Sequence, residues 1–136
     1  MTTLAYFLFD PDNRKGKPQD EIIGEAHRAE YWFAEMTSSE SISALERRRF
    51  SDLYRFARKG DTLAVASIQC LSRCNTELFE IFQALRAKGV DVVSVLEGFR
   101  LSSPSGKAYL KILAEFSAAR RAATSLTVEP INRKKS

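Results

Sequence analysis

The chain has 136 residues but only two cysteines, one histidine and four prolines. Each shortage excludes something. Cys70 and Cys74 make no disulfide framework, and the simplest setting for them is a reducing, cytoplasmic one. Two thiols and a distant His27 fall short of the roughly four ligands that a structural zinc site takes. Their spacing, with three residues between them, is not the C-x-x-C of dithiol redox motifs. No metal and no cofactor are therefore expected. No apolar run approaches membrane-spanning length, so no membrane partner is expected. The opening MTTLAYFLFD has no basic segment before its apolar run and reads as a first strand, not a secretory signal. A phosphate loop is missing too: SPSGKAY at 103–109 lacks the G-x-x-x-x-G-K spacing and reads as helix initiation, although a helix start there can accept an anion. Neither sign of charge dominates. The 21 basic and 17 acidic residues leave a net +4, which is compatible with nucleic acid without demanding it.

What is present is the pattern of one α/β domain. The chain is organised around residues 59–73, KGDTLAVASIQCLSR: a turn at Gly60 and Asp61, a short buried strand, then a polar loop. Residues 4–9, LAYFLF, form a first strand covered on both faces. A turn-rich polar loop follows at 10–20, then a short helix over about 21–29 and a second strand over 31–36. A helix is expected from Ser43, with Ser43 and Glu46 as a capping box and Phe50, Leu53, Tyr54 and Ala57 facing the sheet, ending at Gly60. Residues 75–88 form the next helix, buried through Leu78, Phe79, Ile81, Phe82 and Leu85, and Gly89 closes it. Residues 90–96 are the next strand. Helix, glycine, strand occurs twice in succession (ARKGDTLAV and RAKGVDVVSV), which favours parallel strands joined by crossover helices. The expected fold is a three-layer α/β domain with a central, mainly parallel sheet of four or five strands.

A polar loop at 98–105 leads into a long helix over about 105–126. Tyr109, Ile112, Phe116, Ala119, Ala123 and Leu126 recur along it in steps of three and four. More than five turns exceed what a small sheet needs for cover. The stripe is therefore expected to pack against a second copy, the alternative being a helix folded back on its own domain. The resulting domain organisation is 1–127, with a basic flexible tail at 128–136.

Candidate chemistry sits beyond the carboxyl ends of the strands, where α/β sheets place reactive groups. Asp10, Asp12 and Glu97 lie near strand ends, with Asp61 at the opposite edge; all four also read as turn and loop carboxylates. Arg47 begins a helix and Arg73 follows the central strand. Two guanidinium groups converging there suit phosphate, and solvated arginines are the alternative. Arg120 and Arg121 form a second basic cluster, on the long helix.

At these residues the chain resembles the catalytic domain of the serine recombinases, the resolvase/invertase family. R-R-R-F-S-D-L-Y-R-F-A-R-K-G-D-T-L-A-V is similar to the family's R-P-x-x-x-x-L-L-x-x-x-R-x-G-D-T-L-V-V. L-E-G-F-R-L-S-S-P-S-G-K-A-Y-L-K-I-L-A-E-F at 96–116 is similar to T-E-G-I-D-T-S-T-P-x-G-R followed by A-E-F. The resemblance implies a resolvase-like fold in which the helix after P-x-G-[KR] serves dimerisation. It also implies a site that this chain has dismantled. The family opens with Y-x-R-V-S, whose serine attacks a DNA phosphodiester. Here Leu8 stands in place of the arginine and Asp10 in place of the serine. The family's L-D-R-L-x-R becomes Ile68 to Arg73, with Gln69 for the aspartate and Cys70 for an arginine. Arg47 and Arg73 match. The charged pair of E-R-x-x-I-x-x-R is lost at 117–124.

The expectation is a recombinase-fold chain without strand cleavage, since a carboxylate nucleophile beside a diester needs cations that are gone. Its degenerate site would be Asp10, Arg47, Gln69, Cys70 and Arg73. It would act through homo- or heterodimerisation with itself or an active recombinase, with backbone contact to DNA through Arg47, Arg73, Arg120 and Arg121. The family's helix-turn-helix domain has no counterpart in the last residues, VEPINRKKS. The alternative is an active recombinase or nuclease using a non-serine nucleophile or a metal.

Overall fold

The computed structural model of the chain describes residues 1–9, 18–36 and 42–135, with side chains described as far as Ala123. The elements run β1 (Thr3–Phe9), α1 (Gln19–Ala26), β2 (Tyr31–Met36), α2 (Arg48–Phe56), β3 (Thr62–Val65), α3 (Asn75–Ala87), β4 (Asp91–Ser94), β5 (Phe99–Arg100) and α4 (Pro104–Lys135). Single 3-10 turns at Ala44–Glu46 and Ile68–Cys70 precede α2 and α3.

The five strands form one sheet in the order β2-β1-β3-β4-β5. All neighbours are parallel except β5, which pairs antiparallel with β4. Alternation along β1 divides the core. Leu4, Tyr6 and Leu8 face α2, α3 and α4, in a large cluster with Phe50, Leu53, Leu63, Val65, Leu78, Phe82, Leu110 and Leu113. Ala5 faces the other way, into a small cluster with Ile23 of α1, Ala64, Ala66 and Val93. Three helices thus cover one face and one short helix covers the other.

The repeated helix-glycine-strand turns hold each other. The Gly60 N–H donates to the Gly89 carbonyl at 2.9 Å and the Asp91 N–H to the Asp61 carbonyl at 2.9 Å. Gly89 has φ +81, and a Cβ there would press on the Lys59 side chain at 2.7 Å, so only glycine fits the turn.

Four local expectations are corrected. Ser43 makes no side-chain cap. α2 starts only at Arg48 and ends at Phe56 rather than Gly60, because Ala57 is already extended. The 98–105 segment is not all loop: Phe99 and Arg100 pair with β4, helped by Asp91, which binds Arg100 and Ser102. α4 itself runs from Pro104 to Lys135. α1 is also shorter than expected, closing at Ala26 with His27 extended.

Candidate functional site

Tyr6 and Glu35 organise the carboxyl edge of the sheet. The Tyr6 hydroxyl donates to Glu35 Oε1 at 3.0 Å in the interior. Glu35 is the only charged residue of β2 and is 6% exposed. Its carboxylate also accepts the backbone N–H groups of Arg49 and Phe50, each at 3.2 Å. These are first-turn donors of α2, left without intrahelical partners and lying at the positive end of the helix dipole. A neighbouring strand therefore supplies the cap that Ser43 does not.

Arg47 completes the network. Only 3% exposed, it donates Nε–H to the Ile42 carbonyl at 2.9 Å. Its Nη1 donates to the Cys70 carbonyl at 2.8 Å and to the Tyr6 hydroxyl at 3.3 Å. Burial raises the Tyr6 pKa well above the usual phenol value, against the opposing hydrogen bond and charge of Arg47. The phenol therefore stays protonated and keeps donating to Glu35. One continuous set of hydrogen bonds ties β1, β2, α2 and the loop after β3 together.

A second carboxylate fixes that loop. Glu97 accepts from the Ser67 hydroxyl at 2.9 Å, from the Ile68 N–H at 3.3 Å and from the Ser94 hydroxyl. Beside it opens a cleft of about 570 Å³, lined among others by Gln69, Arg73, Asn75, Glu97, Phe99 and Tyr109. A second cleft of about 520 Å³ lies between the start of α3 and α4, lined by Arg73, Cys74, Asn75, Thr76, Phe116, Ala119 and Arg120. Arg73 and Asn75 belong to both.

The residues singled out from the sequence fall into different environments. Asp10 lies outside the described residues. Arg47 is interior, whereas Arg73 is exposed at the rim of both clefts. Gln69 is exposed. Cys70 is buried, with its carbonyl held by Arg47. Leu8 belongs to the main core. Arg120 and Arg121 are exposed on α4. The α4 stripe divides. Tyr109 packs inside its own domain against Phe82 and Phe99, with ring centroids at 6.4 and 5.5 Å. Ile112 and Phe116 are 49% and 54% exposed, and Ala119 and Ala123 are exposed too. The Leu126 side chain lies outside the described ones. The helix docks on its domain instead through Leu110, Leu113 and Ser117, one step round from the stripe. Sequence reasoning missed Glu35, although a single charge inside the apolar strand YWFAEM was the signal for it. Among the described residues, no group of three or more histidine, cysteine, aspartate and glutamate side chains stands where it would hold a metal ion. No described helix is long and apolar enough to cross a membrane.

Residues 15–135 match the family model described as "Resolvase, N terminal domain". The chain belongs to the resolvase family. Among solved structures, the N-terminal catalytic domain of TP901-1 integrase is similar, with a TM-score of 0.72 at 18% identity, covering 89% of this chain and 97% of that one. A resolvase family site-specific recombinase from Streptococcus pneumoniae is similar with a TM-score of 0.61 at 12% identity, covering 97% of each chain. At these identities the two structures establish the fold alone. No curated protein sequence matches. In this resolvase domain, then, the core holds a leucine at position 8, and one of the two matching arginines is committed to protein oxygens.

Proposed function

We propose that this chain is a resolvase-fold assembly domain that does not cut DNA. It acts by pairing, with a second copy or with an active relative, through the exposed stripe of α4. The observation that carries the reading is the environment of Arg47. Its guanidinium donates to Tyr6, Cys70 and Ile42 inside the protein, although the resemblance assigns that position to the phosphate. Gln69 and Cys70 at the other resemblance positions bring no charge to a phosphoryl group, and each missing donor removes several kcal/mol, about 3–4, from a transition state that develops charge. Support for pairing comes from α4. Two large apolar side chains, Ile112 and Phe116, stand about half exposed beside the small Ala119, a surface that suits close helix approach. Arg73, Arg120 and Arg121 leave a sequence-independent attraction to a DNA backbone, weakened by salt.

Two measurements test this. The chain is incubated with supercoiled DNA, with and without divalent cations, and denaturing gels are probed for a covalent protein–DNA adduct. None is expected; an adduct lost on Asp10→Asn would overturn the catalytic half. For pairing, Phe116→Cys in a Cys74→Ser background is expected to form an intermolecular disulfide under mild oxidation. Absence of a crosslink for Phe116→Cys, and equally for Ile112→Cys and Ala119→Cys in the same background, would overturn the assembly half.

A further inference from the structure

The outer edge of the sheet is built differently from a protected edge. β2 lies at the end of the strand order, and among the described residues only β1 pairs with it. Native edges are usually blunted by lysine, proline or a bulge. The six residues of β2, YWFAEM, contain no lysine and no proline. The one charge, Glu35, is turned inward onto Tyr6 and α2 and puts no like-charge repulsion on the edge. Tyr31, Trp32 and Met36 are 48%, 44% and 44% exposed, and Phe9, across from Met36 in the register, is 39% exposed.

The backbone directions follow from two observations. The Thr62 N–H donates to the Thr2 carbonyl, so even-numbered residues at this end of the chain turn their backbone groups toward β3, and odd-numbered residues of β1 turn theirs toward β2. With Leu4 opposite Tyr31 and Phe9 opposite Met36, the parallel ladder then uses the backbone of Tyr31, Phe33 and Glu35. The N–H and C=O groups of Trp32, Ala34 and Met36 point out of the sheet.

We propose that this edge pairs antiparallel with the same edge of a second copy of the chain, about a two-fold axis at Ala34. Only that centre maps the outward set onto itself: Trp32 faces the copy's position 36, Ala34 its position 34 and Met36 its position 32. All three pairs are then hydrogen-bonded pairs. The side chains agree with the backbone. The small Ala34 sits at the axis, and each Trp32 lies against a methionine, a favourable sulfur–aromatic pairing. The interface is isologous and self-complementary, as two-fold assembly requires. It lies on β2, whereas the pairing proposed above uses α4, so the two assemblies stand or fall separately.

Trp32 is the only tryptophan, so intrinsic fluorescence reports on this edge alone. In the full chain carrying Phe116→Lys, which disables the α4 stripe, the emission maximum is expected to move to longer wavelength on dilution. Hydrogen exchange at the Trp32, Ala34 and Met36 amides is expected to accelerate at least about ten-fold over the same dilution, with Tyr31, Phe33 and Glu35 unchanged. Ala34→Lys, which sets two lysines face to face, should abolish both effects while leaving the inward amides protected. Met36→Pro, which removes an outward donor without touching the β1 ladder, should do the same if the lysine variant fails to fold. Outward amides that exchange freely at every concentration overturn the proposal. So does protection that is independent of concentration, because the chain itself would then cover the edge.

Discussion

Replacing Arg47 with methionine separates a structural arginine from a phosphate-binding one. The side chain is 3% exposed, so methionine fills much of the same space and leaves the Cys70 and Ile42 carbonyls without their donors. The bonds to those oxygens, at 2.8 and 2.9 Å, are the strong ones; the bond to Tyr6, at 3.3 Å, adds less. Hydrogen bonds from a charged donor contribute about 1.5–3 kcal/mol each, and relief of the buried charge's desolvation offsets part of the loss. A net destabilisation of about 3 kcal/mol is expected, and a urea slope of about 2 kcal/mol/M converts it to a midpoint about 1.5 M lower. Arg47→Lys should recover little, since an ammonium group cannot reproduce the planar donor fork. The measurement is equilibrium urea unfolding followed by circular dichroism. A midpoint within about 0.3 M of the parent, or about 0.6 kcal/mol, would refute the structural assignment and return Arg47 to the candidates for phosphate.

Gly106→Ala should be costly for a steric reason: an added Cβ overlaps the Arg100 carbonyl oxygen and lies 2.5 Å from that of Leu101. These are backbone atoms, so α4 must lift from β5, with a loss of about 3 kcal/mol or more and a melting temperature about 10 °C lower, which calorimetry would read. Asp91 predicts a pH dependence. Burial works to raise its pKa, but hydrogen bonds from the Ser102 side chain, Arg100 and the Val92 and Ser102 N–H groups outweigh it and hold the value below 3.8. A depressed carboxyl stabilises the fold above its unfolded pKa, and that stabilisation disappears as pH falls through the lower folded value. The parent should therefore be more stable than Asp91→Asn above about pH 4, with the gap closing below it; a pH-independent gap in unfolding midpoints would contradict this.

Much of the architecture was legible in order along the chain. The strand at LAYFLF, the two helix-glycine-strand turns and the helix after SPSGK all carry local signals: an uninterrupted apolar run, a residue suited to positive φ, a stripe of fixed period. The resemblance at KGDTLAV and at the P-S-G-K segment rested on the same local patterns. The capping box at Ser43 was misread because the competing cap comes from Glu35, on a strand across the sheet.

What the amino-acid order determined alone was the sequence of elements, the family and the identity of the residues at each family position, because periodicity and turn chemistry act over a few residues. Tertiary structure decided what those residues do. It put Arg47 inside, where it serves protein oxygens, and left Arg73 at the rim of two clefts. It turned Tyr109 into the core while leaving Ile112 and Phe116 outside, a division set by which side of α4 meets α3 and the sheet. It made β2 an edge, since strand order is a long-range property that no local pattern contains.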